Sequence, residues 1–375
     1  MNLDFSPEQQ RLREAARRML ADRCTPAALR KVLEGDDRLD RGLWRELAEL
    51  GYLGVAIPEE FGGSGAGYLE LCVIAEELGR VLAPVPVSSS TYLATEFLKI
   101  GGSPAQQAAY LPKLASGAVI GTFALAEGAG EPMARSLRAK VEGGRLTGTK
   151  TPVPDGDTAD FAIVAAGSAK SPGPSLYLVD LRGAGVERRP LATIDPTRGY
   201  AELTFRAAPA EPLALGEAGE RVLARVLDGA AVLMAFEQLG GADRALESAC
   251  EYAKERWAFG RPIGSHQAIK HMLADMYVSA TLARSNCYYG AWALSTGADA
   301  LGEAAACARI SATQAFQHCA RNNIQAHGGS GFTWAVDCHL YYRRSNLLAL
   351  SLGGLAPWED RLIDTLRRRR AATEL

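Results

Sequence analysis

No stretch of this sequence approaches the roughly 20 consecutive apolar residues that a helix needs to cross a bilayer. Its opening run, MNLDFSPEQQRLREAARRML, is charged from the start. A secretory signal would need an apolar core and a small-residue cleavage site there, so no membrane association is expected and a cytoplasmic location is. Net charge is nearly absent too, with 41 Lys and Arg against 43 Asp and Glu, a formal −2. Without a strong field of one sign nothing recruits a polyanion, and no nucleic-acid partner is expected. The tract Arg367 to Arg370 reads as a solvated helix end, where the dipole favours cations. Cysteine is sparse: seven, an odd number, with no C-x-x-C spacing. That argues against a disulfide framework and against zinc. His318-Cys319 and Cys338-His339 lack a second ligand pair at metal spacing, so no metal is expected.

What is present is helical periodicity interrupted once. A chain of 375 residues is long enough for two or three domains with a substantial core. Ser6, Pro7 and Gln9 form a capping-box start, followed by Leu12, Ala15, Ala16 and Met19 at helical spacing. Further helices are expected at Leu43 to Leu50, Leu69 to Val81, Thr91 to Ile100 and Pro104 to Ala115. Between the first two of these, Pro58-Glu59-Glu60-Phe61-Gly62-Gly63 reads as a turn. Residues 1–118 therefore form an N-terminal helical domain. From Ile120 to about Pro212 the chain becomes rich in Gly, Pro, Thr and Val with short alternating runs. Gly143-Gly144 fits a two-residue hairpin between Ser136–Glu142 and Arg145–Thr151, with further strands at Phe161–Ala166, Ser175–Asp180 and Tyr200–Phe205. Residues 119–215 are expected to form a middle antiparallel β domain. Long helices with short breaks, through Leu294, Leu301 to Ala326, Asp337 to Leu350 and Glu359 to Arg370, make residues 216–375 a C-terminal bundle.

Two stretches carry the chemistry. YAKERWAFGRPIGSHQAIKHMLADM, Tyr252 to Met276, ends one long helix at Phe259-Gly260-Arg261-Pro262 and starts another. Gly permits a tight backbone and Pro forbids helix continuation, so this reads as a hinge. QAHGGSGF, Gln325 to Phe332, ends a later helix at Gly328-Gly329. Together they offer a guanidinium (Arg256), an aromatic wall (Phe259), amides (Gln267, Gln325) and a glycine for close approach (Gly329), the parts needed to grip a phosphate-linked cofactor.

The spaced blocks R-x-x-F-G-x-P-I, the Gln eight residues after the Phe, L-A-D-M, Q-x-x-G-G-x-G-F and P-E-E-F-G-G resemble the acyl-CoA dehydrogenase family. The resemblance spans essentially the whole chain. It implies a mainly α fold with an N-terminal helical domain, a middle β-barrel-like domain and a C-terminal four-helix bundle. It also implies FAD, whose ADP portion would be held by Arg256, Phe259, Gln267, Gln325 and Gly329, usually as the cofactor of a neighbouring subunit. The implied substrate is an acyl-CoA thioester and the implied acceptor an electron-transfer flavoprotein.

The family reaction removes the α proton of the thioester as the β hydride leaves for the flavin, which requires a Glu base in a dry pocket. Of the two family positions for that Glu, one falls here on Gly353, in Ser351-Leu352-Gly353-Gly354-Leu355, and the other on Ala230, thirty residues before Gly260. Neither can act as a base. The Trp and Thr that family members place after a Gly-x-Lys turn are missing, since Gly148-Thr149-Lys150 leads into Thr151-Pro152-Val153-Pro154. The flavin strand reads Ala126-Glu127-Gly128-Ala129-Gly130-Glu131, without its usual hydroxyls. The expectation is a subunit that completes the FAD site of an unlike, base-bearing partner. The alternatives are a homo-oligomeric enzyme with an unusual base, or a non-redox scaffold that binds acyl-CoA. Glu237 is the candidate for such a base, because seven residues beyond Ala230 put it on a similar helix face about 10 Å further along. His327, beside the glycine break, could donate to a cofactor or serve the structure.

Overall fold

A computed structural model describes residues 5–128, 137–168, 171–215 and 219–373. The first part is helical: α1 (Pro7–Arg23), α2 (Pro26–Glu34), α3 (Arg41–Glu49), α4 (Tyr68–Arg80), α5 (Val87–Ser89), α6 (Thr95–Gly101) and α7 (Pro104–Ala115). Among the described residues eight strands follow: β1 (Gly121–Ala124), β2 (Lys140–Glu142), β3 (Arg145–Pro154), β4 (Phe161–Ser168), β5 (Ser171–Asp180), β6 (Val186–Pro190), β7 (Tyr200–Pro209) and β8 (Glu211–Pro212). The rest is α8 (Gly219–Glu255), a short pair β9 (Trp257–Ala258) and β10 (Arg261–Pro262), α9 (Gln267–Thr296), α10 (Leu301–His327), α11 (Cys338–Leu350) and α12 (Leu355–Thr373). The chain is thus mainly helical with a β middle, as its periodicity implies.

Chain contacts divide it into two compact units, one of residues 1–31, 68–83 and 231–375, the other of 32–67 and 84–230. In the first, α1 starts with the expected capping box, in which Ser6 accepts from the Gln9 N–H and the Gln9 side chain accepts from that of Ser6. Helix α4 is pressed against α8 through glycine: a Cβ on Gly79 would lie 1.8 Å from the Glu237 carbonyl oxygen, and one on Gly240 1.9 Å from that of Glu76. No other residue permits this backbone approach. Buried carboxylates Glu76 and Glu77 on α4 pair with Arg13 and Arg17 on α1, and Glu76 also with Arg284 on α9. Helix α10 lies at the centre, its residues Ala312, Phe316, Cys319, Ala320 and Asn323 fully buried.

In the second unit the sheet runs β6-β7-β3-β2-β4-β5-β8, with β1 beside β4. Gly143 and Gly144, at φ 54° and 74°, make the expected tight turn between β2 and β3. Ser136, expected to begin the first strand, lies outside the described residues. The sheet is not wholly antiparallel as expected, because β1 and β2 both pair with β4 in parallel. Alternation alone cannot distinguish the two directions, since both put successive side chains on opposite faces. The expected helix at Thr91 to Ile100 begins as a π-helical turn, Ser90–Ala94, and α2 had no counterpart in the sequence reading.

Candidate functional site

The expected hinge is a β-hairpin. Helix α8 closes with the Arg256 N–H donating to Tyr252 O, after which β9 and β10 pair Trp257 with Pro262 and Ala258 with Arg261. Ile263 N–H donates to Arg256 O at 2.8 Å, extending the ladder by one step. The two turn residues, Phe259 and Gly260, sit at φ 56° and 76°. Positive φ at both is the primed turn that matches strand twist. For Gly this is free. For a bulky aromatic it is an outlier, and the Phe259 side chain is 94% exposed. A strained, solvent-facing Phe is doubly costly, which points to a ligand contact.

The other stretch meets the end of α8 through a stacking pair. Tyr252, in the last turns of α8, stacks on His327, the last residue of α10, with ring centroids 4.0 Å apart. Buried His327 also engages Asn323 O through Nδ1 at 2.9 Å, which ties the ring to the end of α10. Beyond it Gly328 turns the chain at φ 61°, and a Cβ on Gly329 would meet nothing within 4 Å. Gln325 and Gly329 are exposed beside this turn, and Gln267 is exposed at the first position of α9. The C-terminal end of α8, the N-terminal end of α9 and the C-terminal end of α10 therefore converge, bringing the elements that carry Arg256, Phe259, Gln267, Gln325 and Gly329 to one end of this helical unit. Among the described residues Arg256 makes no ion pair, leaving its charge available. The sequence reading missed Trp257, Phe332 and Trp334, which are exposed at the same end. Large aromatics interleaved with Gly in loop segments were the available signal.

The two positions expected from the sequence to carry a base lie elsewhere in the chain. Ala230 is buried within α8, and Gly353 follows α11 at φ 90°. Its neighbour Leu352, at φ 61°, is equally without an ionisable group, so a register shift of one changes nothing. Glu237 is not on a helix surface. It is 3% exposed, and its carboxylate lies 3.6 Å from the guanidinium of buried Arg344 on α11. The next residue, Gln238, accepts from buried Arg309, which also donates to the carbonyls of Leu348 and Ser351 at the end of α11. Adjacent positions on α8 thus anchor α11 through two buried arginines.

In the second unit, the expected Gly-x-Lys turn is part of β3. Gly148 is required there, because at φ 143° its Cβ would lie 2.6 Å from the Ala139 backbone. Lys150 is fully buried and donates to Leu125 O at 3.0 Å and to Glu127 Oε1 at 2.7 Å. Burial pushes the Lys150 pKa down against the pull of Glu127. Burial also works to raise the Glu127 pKa, but the Lys150 ammonium and the N–H groups of Arg138 and Ala139 outweigh it and hold the carboxyl below its usual range. This pair ties segment 125–127 to β3. Residues Ala129 to Glu131 of the expected flavin strand lie outside the described residues.

Comparison with known proteins decides what this architecture is. The acyl-CoA dehydrogenase N-terminal domain model matches residues 6–118 and the C-terminal domain model residues 217–354. This chain belongs to the acyl-CoA dehydrogenase family. It is 35% identical, over 90% of its length and 91% of the relative's, to acyl-CoA dehydrogenase IpdE2 of Mycobacterium tuberculosis. Among solved structures, one described as a variant of the Tcur3481-Tcur3483 steroid ACAD matches at 35% identity and TM-score 0.89, over 97% of this chain and 99% of that one. The ChsE4-ChsE5 complex from Mycobacterium tuberculosis matches at 30% identity and TM-score 0.89, over 98% and 99%. Family membership makes FAD the cofactor and acyl-CoA oxidation the class of reaction. Phe259 is exposed, and a Cβ at Gly260 or at Gly329 would meet nothing within 4 Å, so each position leaves room for a flat, phosphate-linked group of that kind. Bound FAD supplies hydride acceptance. Among the described residues no helix is long and apolar enough to cross a membrane, and no group of three or more side chains could hold a metal.

Proposed function

We propose that this acyl-CoA dehydrogenase chain is a base-lacking subunit that completes the FAD site of an unlike, base-bearing partner. In this reading Arg256 pairs with the pyrophosphate, Phe259 lies against the adenosine end, and Gln267, Gln325 and Gly329 orient and admit the cofactor. The observation that carries it is the contrast between two sites in one chain. All five grip residues are present and exposed, while Gly353 and Ala230 offer no base. An isologous dimer would repeat the deficiency twice, and an unlike chain removes it. Two of the similar structures are described by paired chain names, which supports a two-chain assembly. The steroid description of one favours a bulky polycyclic acyl-CoA as the substrate. We assign the electrons to an electron-transfer flavoprotein and the location to the cytoplasm. The functional division is into 1–118, 119–215 and 216–375, the grip belonging to the last.

The homo-oligomeric alternative with Glu237 as base is disfavoured by the ion pair to Arg344, which turns that carboxylate into the helix packing. Co-expression with a neighbouring dehydrogenase-like chain, followed by an absorption spectrum, tests the proposal. The pair should be yellow, with about one FAD per two unlike chains, and should reduce an acceptor with an acyl-CoA. This chain alone should be colourless and inactive. Stoichiometric FAD and turnover in the isolated homo-oligomer would overturn the reading, and a pair that neither binds flavin nor turns over would favour a non-redox scaffold.

A further inference from the structure

The hairpin carries a second device beside the five residues already placed. Arg261 Nη2 lies 3.0 Å from His266 Nδ1. A guanidinium can only donate, so Nδ1 must accept and the imidazole proton must sit on Nε2. Nε2 in turn faces Ala258 O at 3.5 Å. Ala258 and Arg261 are cross-strand partners in the hairpin, so both nitrogens of the ring are tied to the same rung. His266 itself is fixed at the residue before α9, in extended conformation at φ −80° and ψ 134°. Its ring meets Phe259 edge to face, with centroids 6.1 Å apart and planes at 88°. That arrangement suits the quadrupoles of two aromatic rings. Phe259 is otherwise open to solvent, and a side chain so exposed would sample its rotamers freely unless something held it.

Resting on the cofactor grip proposed above, we infer that Arg261 and His266 are positioning residues for Phe259. Arg261 selects the His266 tautomer, and the fixed imidazole holds the Phe259 ring in the pose that receives the adenosine end of FAD. Neither residue needs to touch the cofactor. Preorganisation of this kind removes an ordering cost from binding, so it slows release without adding a contact.

Release of FAD from the purified flavin-bearing assembly, followed as the rise in flavin fluorescence after dilution, tests this through Arg261→Ala, His266→Ala and Phe259→Ala, singly and combined. Arg261→Ala and His266→Ala should each speed release about three- to tenfold. In the Phe259→Ala background neither should speed it further, because both act through that ring. A merely structural or a direct electrostatic role would keep its full effect in that background and overturn the inference, as would unchanged release in the single variants. Arg256→Ala separates the two levels of argument. If it speeds release while Arg261→Ala and His266→Ala are silent, only the positioning role fails. If Arg256→Ala and Phe259→Ala are both silent, the grip itself fails.

Discussion

Replacing Glu237 distinguishes a buried structural anion from a catalytic base. Its carboxylate and the guanidinium of Arg344 are 3.6 Å apart, and the two side chains are 4% and 1% exposed. Removing one partner of a buried ion pair typically costs about 3–5 kcal/mol. Arg344 also donates to Leu82 O, so part of its donor capacity stays satisfied, and the lower end of that range, about 3 kcal/mol, is expected for Glu237→Gln. If the chain unfolds cooperatively, an unfolding entropy near 2.1 cal/mol/K per residue converts this to a fall in Tm of about 4 °C for 375 residues. Differential scanning calorimetry reads that shift. The double replacement Glu237→Leu with Arg344→Met should recover most of it, since an apolar pair of similar volume leaves no charge to strand. A measurement of substrate α-proton exchange on the same flavin-bearing assembly completes the test. Glu237→Gln with unchanged Tm and abolished exchange would refute the structural assignment and make Glu237 the base.

Arg256→Ala should leave the Tm nearly unchanged and weaken FAD retention by roughly tenfold or more, since a charge-assisted bond to phosphate is worth about 1.5–3 kcal/mol; equilibrium flavin content after gel filtration checks it. Asp157 gives a pH-dependent prediction: burial, and then the neighbouring Asp155 carboxylate, push its pKa up from 3.8 to about 6. A carboxyl raised on folding favours the native state while protonated, so this group's contribution falls as pH rises from about 4 through 6. Asp157→Asn should therefore stabilise the protein by about 1–2 kcal/mol at pH 7–8, after discounting for partial solvent screening, with the gain vanishing below about pH 4 in denaturant melts. Gly79→Ala should cost about 3 kcal/mol or prevent folding, because its Cβ would meet the Glu237 carbonyl oxygen at 1.8 Å and α4 must move off α8; circular dichroism melts of the soluble fraction measure it.

Local chemistry was enough to read much of this protein from its sequence. The capping box at Ser6 and Gln9, the helix from Pro104 to Ala115 and the break at Gly328-Gly329 were all legible, because caps, periodicity and glycine act over a few residues. So were the spaced blocks that identify the family. Other features were settled only by folding, because they depend on neighbours far along the chain. Helical spacing placed Glu237 on a face similar to that of Ala230, but only the tertiary structure set Arg344 opposite it, 3.6 Å away. Lys150 read as a turn residue until β3 carried it into the interior against Glu127. Parallel pairing of β1 with β4 cannot be inferred from alternation. The motif at Phe259 was plain, but its left-handed backbone, its full exposure and its contact with His266 belong to the folded hairpin. Short-range preferences are properties of the residues themselves, whereas burial and charge pairing are properties of whichever distant segments packing brings into reach.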